Sequence, residues 1–321
     1  MQTPSAPDRS AWAGTIARYG GVSSYGVWKV AIDAYYWDKL QQAHDVAREL
    51  GVTFGWQEWW YRLIEAEALT REVSEITELQ DQVSFEHVPA QLPHVSHVIS
   101  DILHACTDVR ARFGWQEGAK TMVSVLSEHT DAPWTVGRAG YMMDKYPYDK
   151  ICLPWNITHD STTFQSVVRH EYAHVMVLNL TAGKAATYLH EAVTMMAQDW
   201  PRTADWVKFA QGSQPWLDPI ALTNAFNDQH DPERAHARSL AYSQSSALGY
   251  YLKSIGGERK IGELLRAFGD NSTWTDLKMT LTGQSPADEA LRQVYGFGEK
   301  ELFERAKARL VATHGSVNSN T

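Results

Sequence analysis

His170-Glu171-Tyr172-Ala173-His174 is the stretch that decides the fold, because its two histidines stand four positions apart. On a helix, positions four apart lie on one face, so both imidazoles can reach the same metal ion. Glu171 lies about 100° round the helix from His170, where its carboxylate can contact a water molecule rather than the metal. The stretch therefore predicts a metal site with a general base beside it.

The surrounding sequence predicts that this stretch lies on a buried helix. Residues 164–169 and 175–178 are largely apolar, which favours a mostly buried helix over 161–180. Polar side chains on a buried helix need a partner, and for two histidines and a glutamate a metal ion is the usual one.

A catalytic zinc takes three protein ligands and keeps one position open. A third histidine six residues on, after a glycine, is excluded because Val177 and Leu180 occupy those two positions. Between 175 and 198, Glu191 is the only acidic residue. His190 is the alternative third ligand, although it points about 100° away from Glu191 on a helix.

The segment that carries Glu191 is predicted to fold back on the first helix. Residues 187–198 have helical periodicity and good helix formers. The linker 181–184 contains Gly183, which is suited to ending the first helix. Two antiparallel helices joined there would return Glu191 to the histidine pair.

With these residues, the chain resembles the gluzincin zinc metalloproteases of the peptidase MA-like family. In that family the two-histidine helix is followed, after about 15–20 residues, by Trp or Tyr, then Leu-x-Glu-Gly. The corresponding stretch here is Tyr188-Leu189-His190-Glu191-Ala192, with Ala192 in place of the glycine. Further similar segments are a helix near 94–113, a strand near 120–127, and helices at 241–252, 261–268 and 297–306.

The resemblance covers about 90–311 and implies an α+β, zincin-like metalloprotease domain. Its expected parts are a small, mostly antiparallel sheet, an active-site helix and C-terminal helices. It also implies one Zn²⁺ ion, bound by His170, His174 and Glu191, whose water is activated by Glu171 to attack an amide carbonyl.

The resemblance further implies a donor for the oxyanion downstream of the third ligand. Tyr242 is the predicted donor because its Tyr-x-Gln stretch matches the family's downstream helix, and His230 and His236 are the alternatives. Asp199 is a candidate acceptor for the second ring nitrogen of a ligand histidine.

Three functions are consistent with this reading of the residues. The first is a zinc metallopeptidase acting on peptides. The second is a zinc hydrolase or biosynthetic enzyme acting on a small amide or an amino-acid derivative. The third, a non-catalytic scaffold, is disfavoured by Glu171, because a structural zinc site has no use for that carboxylate.

Composition limits the partners. The chain has 321 residues and a formal net charge of −9, with a pI of about 5.8, and it has no basic run suited to nucleic acid. No apolar run approaches the length of a membrane span. Residues 1–10 lack the order of a signal peptide, which predicts a cytoplasmic protein. Cys106 and Cys152 are then expected to be buried free thiols.

The expected organisation is a disordered leader at 1–10, a helical region at 11–85, the catalytic domain at 90–311 and a disordered tail at 314–321. The helical region is expected to hold helices at 28–37, 36–50 and 55–80. Its aromatic residues predict either a layer packed on the catalytic domain or a wall over the substrate cleft, and they include Trp28, Trp37, Trp56, Trp59, Trp60, Tyr35, Tyr36 and Tyr61.

Three strands are expected in the catalytic domain, over 119–127, 135–142 and 150–154. In gluzincins, the sheet edge beside the metal binds the substrate backbone. Gly137 and Gly140 would allow close approach at such an edge, or they are ordinary strand glycines.

Overall fold

The computed structural model has a mostly helical α+β fold. It describes residues 24–52, 55–80, 82–92, 94–116, 118–133, 137–140, 148–226, 235–269 and 285–315. The expected leader at 1–10 and positions 316–321 of the expected tail lie outside these ranges. Within the described residues, five short strands form one sheet and helices make up most of the rest.

The described helices follow one another along the chain, with a short 3₁₀ helix at Trp155–His159 before the fifth. They are α1 (Ser24–Tyr36), α2 (Leu40–Leu50), α3 (Gly55–Val73), α4 (Val95–Phe113), α5 (Ser161–Thr181), α6 (Thr187–Ala197), α7 (Thr203–Ala210), α8 (Pro219–Asn224), α9 (Ala235–Gly269), α10 (Pro286–Tyr295) and α11 (Glu299–His314). α9 bends at Gly257, so it contains both of the helices predicted at 241–252 and 261–268.

The sheet is mixed, which corrects the expectation of a mostly antiparallel one. Its strands are β1 (Glu75–Glu78), β2 (Val83–His87), β3 (Thr121–Val125), β4 (Arg138–Gly140) and β5 (Asp149–Leu153), in the order β1-β2-β3-β5-β4. The inner pairs β2–β3 and β3–β5 are parallel, and the outer pairs β1–β2 and β4–β5 are antiparallel. α4 connects β2 to β3, and a crossover of that length allows two neighbouring strands to run in the same direction.

The predicted helix over 55–80 is wrong beyond Val73. β1 begins at Glu75 and pairs with β2, with Glu75 opposite His87. The expected helical region at 11–85 therefore contains one strand and part of a second. Cross-strand pairing outweighs local helix propensity here, because β1 gains backbone partners only in the assembled sheet.

The two faces of the sheet differ in polarity. Ile151 and Leu153 of β5 belong to the main core, which also contains Phe164 and Val168 of α5. Lys150 and Cys152 alternate with them and point to the opposite face, where both contact Glu67 of α3. The helix with the two histidines and the N-terminal helices therefore lie on opposite faces of the sheet.

A buried charge network joins the N-terminal helices to the sheet. Nζ of Lys150 lies 3.0 Å from Glu67 and 3.0 Å from Asp38, and the Lys150 side chain is only 2% exposed. Arg71 pairs with Asp38 and with Glu86 of β2. Paired charges of this kind offset the cost of removing each one from water.

The aromatic residues of α1 and α3 pack mostly against one another. Trp28 and Tyr35 are buried in a cluster that is separate from the main core, with Trp59 and Trp60 half-buried around it. The structure thus favours a packed layer. It contacts the sheet through the charge network at Lys150 and through the ring of Tyr35, whose centroid lies 4.5 Å from Nζ of Lys150. Cys106 and Cys152 are buried free thiols, as predicted. None of the described helices is long and apolar enough to cross a membrane.

Candidate metal centre and cleft

α5 presents both motif histidines on one face, as the sequence predicts. Asp160 caps its start by accepting a hydrogen bond from the backbone N–H of Thr162 at 3.0 Å. The helix ends where Ala182 adopts a left-handed conformation, one position before the glycine predicted to end it. Nε2 of His170 and Nε2 of His174 lie 3.2 Å apart.

α6 returns along α5 and brings Glu191 to the histidine pair. The Glu191 carboxylate lies 3.9 Å from Nε2 of His170 and 3.7 Å from Nε2 of His174. The donor atoms of the three residues all lie within 4.8 Å of one another. Ligand atoms around a tetrahedral zinc, at bond lengths of about 2.0–2.1 Å, are separated by about 3.3 Å. The three side chains therefore have the spacing that a single metal ion requires.

His190 is adjacent to this group but is not one of the three converging residues. Its ring stacks against that of His174, with 6.0 Å between the centroids. Thr194 lies on the other side, where its hydroxyl is 3.4 Å from the Glu191 carboxylate. The stacked ring of His190 limits the orientation of His174, and the hydroxyl of Thr194 limits that of Glu191, before any metal binds.

The protonation of the group also suits a metal. Burial lowers the pKa of His170 to about 4, while an interaction with the Gln198 side chain acts in the opposite direction. Burial, together with the neighbouring imidazoles, lowers the pKa of His174 well below its usual range. Both rings are neutral at pH 7, which is the form that binds metals.

Glu191 is the group that most needs a cation. Burial and, to a lesser degree, the charge of Glu171 raise the pKa of Glu191 to about 8. Two carboxylates buried close together favour the binding of a positive charge between them. A divalent ion would supply that charge, so the residues present fit a metal.

α9 brings Tyr242 to the same place. The charge of Glu191, then burial, then the charge of Glu171 raise the pKa of Tyr242 well above its usual range. The phenol is therefore close to both carboxylates and keeps its proton. Its ring packs edge-on against Phe226, with 5.1 Å between the centroids.

A close helix contact fixes the position of Tyr242. Two turns further along α9, Gly249 packs directly on the backbone of α6, where an added Cβ would lie 2.0 Å from the carbonyl oxygen of Ala192. The close backbone packing that a glycine at 192 would have allowed is thus provided by Gly249 from the opposite helix.

The group lies beside a cleft of about 1200 Å³. His170, Glu171 and Tyr242 line the cleft, as does Gly137 immediately before β4. A Cβ on Gly137 would lie 2.9 Å from Cγ of Glu171, so the glycine gives the carboxylate room. The cleft has no lining residue from 28–61 in the described chain, and the proposed aromatic wall is therefore wrong.

Several candidates predicted from the sequence do not take the expected roles. Asp199 pairs with Arg112 at 2.8 Å, so it is not the acceptor for a ligand histidine; the side chain beside His170 is that of Gln198. His236 is exposed on α9 and does not line the cleft. His230 lies outside the described residues. Gly140 is the last residue of β4, opposite Lys150.

Arg169, Gln198 and Trp200 are among the cleft residues that the sequence did not single out. Arg169 directly precedes His170 on α5. Gln198 is the first residue after α6, and Trp200, two positions further on, is 66% exposed. The position of Arg169 next to the motif was the only sequence signal available. The other two enter the cleft only through the folding of α6 onto α5.

No protein-family model, curated protein or solved structure matches this chain. What the fold and the site define is a mostly helical α+β protein with a His-His-Glu group that can bind a metal ion. The metal is not identified by this geometry.

Proposed function

We propose that this protein is a zinc-dependent hydrolase that cleaves an amide bond in a peptide. His170, His174 and Glu191 would hold the zinc. The observation that carries the proposal is the convergence of their donor atoms, 3.2–3.9 Å apart, beside a cleft that is also lined by Glu171 and Tyr242. A purely structural site closes all its positions with protein ligands, whereas three ligands beside a cleft suit catalysis.

Glu171 is proposed as the general base. When bound, the metal would act as a Lewis acid and lower the pKa of a water molecule towards neutrality. Glu171 takes a proton from the attacking water and delivers it to the nitrogen of the leaving amine. Its position on α5, next to His170 but outside the converging group, suits this role.

Tyr242 is proposed to stabilise the oxyanion. Its hydroxyl keeps its proton because the charge of Glu191, burial and the charge of Glu171 all raise the pKa of the phenol. It can therefore donate a hydrogen bond to the developing negative charge across the physiological pH range.

The cleft favours a peptide over a small amide. Its volume of about 1200 Å³ exceeds the roughly 300–1,000 Å³ of typical small-molecule pockets. Gly137 lines the cleft directly before the edge strand β4, and an edge strand can bind the backbone of a peptide. A small amide or amino-acid derivative would use the same groups and is the alternative substrate.

The test is digestion of a peptide library by the zinc-loaded protein, analysed by mass spectrometry. We expect cleavage by the wild type and none by Glu171→Gln, with one zinc bound per chain in both. Turnover by Glu171→Gln at the wild-type rate would refute the role of Glu171. Absence of cleavage of any peptide by the wild type would refute the peptidase, and assays with small N-acyl amino acids would then test the alternative.

A further inference from the structure

Arg169 is a cation in the cleft that has no partner in the described part of the chain. It lines the cleft directly before His170 on α5. Its side chain is half-buried, and its Nε is buried without a hydrogen-bond partner. A buried N–H of a guanidinium group is costly to leave unpaired, so Arg169 is poised to gain a ligand.

Apart from Glu171, the other acidic and basic side chains that line the cleft form ion pairs. Arg202 lies 3.3 Å from Asp205, and Asp205 also accepts a hydrogen bond from Ser243 at 2.7 Å. Asp199 pairs with Arg112. Arg169 is therefore the one cation lining the cleft that has no ion pair with a described residue, in a protein whose formal net charge is −9.

Helix geometry separates Arg169 from the general base. Arg169 and Glu171 each stand one position from His170, so they diverge to opposite sides of it by about 100° each. Ser166 and Thr162, one and two turns before Arg169, line the same wall of the cleft. An anion bound at Arg169 would therefore lie away from the carboxylate of Glu171, which would repel it.

We propose that Arg169 binds a carboxylate of the substrate, so that this site prefers amides carrying a carboxylate near the bond that is cleaved. The inference rests on the proposed function and adds a substrate class to it. A guanidinium group matches a carboxylate through two parallel N–H···O bonds, which a lysine cannot reproduce. The carboxylate comes either from the C-terminus of a peptide or from an Asp or Glu side chain.

Matched peptides test the preference. For a sequence that the wild type cleaves, one arm compares a free C-terminus with its amide, and the other compares Asp or Glu with Asn or Gln beside the cleaved bond. We expect kcat/KM to be about tenfold higher for the carboxylate form in one of the arms, mainly through KM. The arm that shows the preference identifies the source of the carboxylate.

Three variants assign the preference to Arg169. Arg169→Gln should abolish it, and Arg169→Lys should retain part of it. Arg305→Gln removes the same charge from an exposed i,i+4 pair on α11, and should keep the full preference. An equal preference in the wild type and in Arg169→Gln would overturn the inference, as would a wild type that cleaves charged and neutral peptides equally well.

A binding measurement separates this inference from the proposed function. N-acetylated dipeptides with a free carboxylate, and their amides, are titrated into protein stripped of metal, so that the carboxylate cannot bind a zinc ion instead. We expect the carboxylate forms to bind about tenfold more tightly to the wild type, and equally to both forms in Arg169→Gln. This result without any peptide cleavage would retain Arg169 as a carboxylate site and refute the peptidase. Peptide cleavage without the binding difference would retain the peptidase and refute Arg169 as a carboxylate site.

Discussion

Nε2 of His174 lies 3.7 Å from Oε1 of Glu191, although the two residues belong to different helices. His190, the neighbour of Glu191, instead stacks its ring on His174. This relationship favours Glu191 over His190 as the third metal ligand.

The first prediction concerns these two candidates. Glu191→Gln should weaken zinc binding by more than about 100-fold, because it removes a ligand, whereas His190→Gln should cost about 10–100-fold at most, as for a residue that only orients a ligand. Competition with a chelator measures both affinities, and circular dichroism checks that both variants fold. The opposite ranking would make His190 the ligand.

The second prediction concerns Tyr242. Tyr242→Phe keeps the ring that packs on Phe226 and removes only the hydroxyl. We expect kcat to fall by about 10²–10³-fold, with KM and zinc content little changed, because the hydroxyl acts only on the developing oxyanion. Steady-state kinetics provide the measurement. An unchanged kcat would refute the role of Tyr242 as the oxyanion donor.

The third prediction concerns the contact between α9 and α6. Gly249→Ala places a methyl group where only 2.0 Å separates it from the Ala192 carbonyl oxygen. The helices must move apart, which should destabilise the protein by roughly 1–3 kcal/mol and displace Tyr242. Urea unfolding and kcat should both report the change.

Gly256→Ala on the same helix is the matched control for this variant. Its new methyl group meets the flexible side chain of Lys260 at 2.6 Å, which can rotate away. It should therefore be much less destabilising than Gly249→Ala. Equal stability of the two variants would contradict the importance of the α9–α6 contact.

The fourth prediction concerns pH and the buried charge network. Burial alone would raise the pKa of Asp38, but the charge of Lys150 and the hydrogen bond from Arg71 outweigh it, and the net pKa lies below 3.8. A carboxyl whose pKa is lower in the folded state stabilises the protein above its unfolded pKa and loses that effect as the pH falls. Wild-type stability should therefore decline as the pH falls below about 4.

Asp38→Asn isolates this contribution. At pH 7 the variant should be less stable than the wild type by about 1–3 kcal/mol, because Lys150 and Arg71 lose a buried partner. The difference should shrink at pH 3, because below about pH 4 the unfolded chain binds a proton at Asp38 more readily than the folded chain, whose Asp38 pKa is lowered. Urea unfolding at both values is the measurement, and Asp131→Asn, in an exposed pair with Arg62, is the control that should change little. A larger difference at pH 3 would contradict the prediction.

The helix over Ser161–Thr181 and the convergence of its histidines with Glu191 follow from sequence pattern. Apolar residues at helical spacing specify the buried face, and the four-residue spacing of His170 and His174 specifies a shared one. Glu191 is predictable as the third ligand because it is the only acidic residue between 175 and 198, a segment that is predicted to fold back on the first helix. These relationships join residues that are close in the sequence, so the sequence is largely sufficient to predict them.

Other features depended on contacts between distant parts of the chain. β1 replaced the end of a predicted helix because its backbone pairs with β2. Asp199 does not take the predicted role because it forms an ion pair with Arg112 on α4. Neither partner can be found from the residues near the site.

The sequence by itself determined that two histidines share a helix face with a glutamate beside them, because helix periodicity is a property of the backbone alone. Only the tertiary structure decided that Arg169 has no partner among the described residues while Asp199 and Arg202 are paired, and that Gly249 rather than residue 192 allows α9 to approach α6. Pairing and close approach depend on which surfaces meet, and that is settled only when the helices and the sheet pack together.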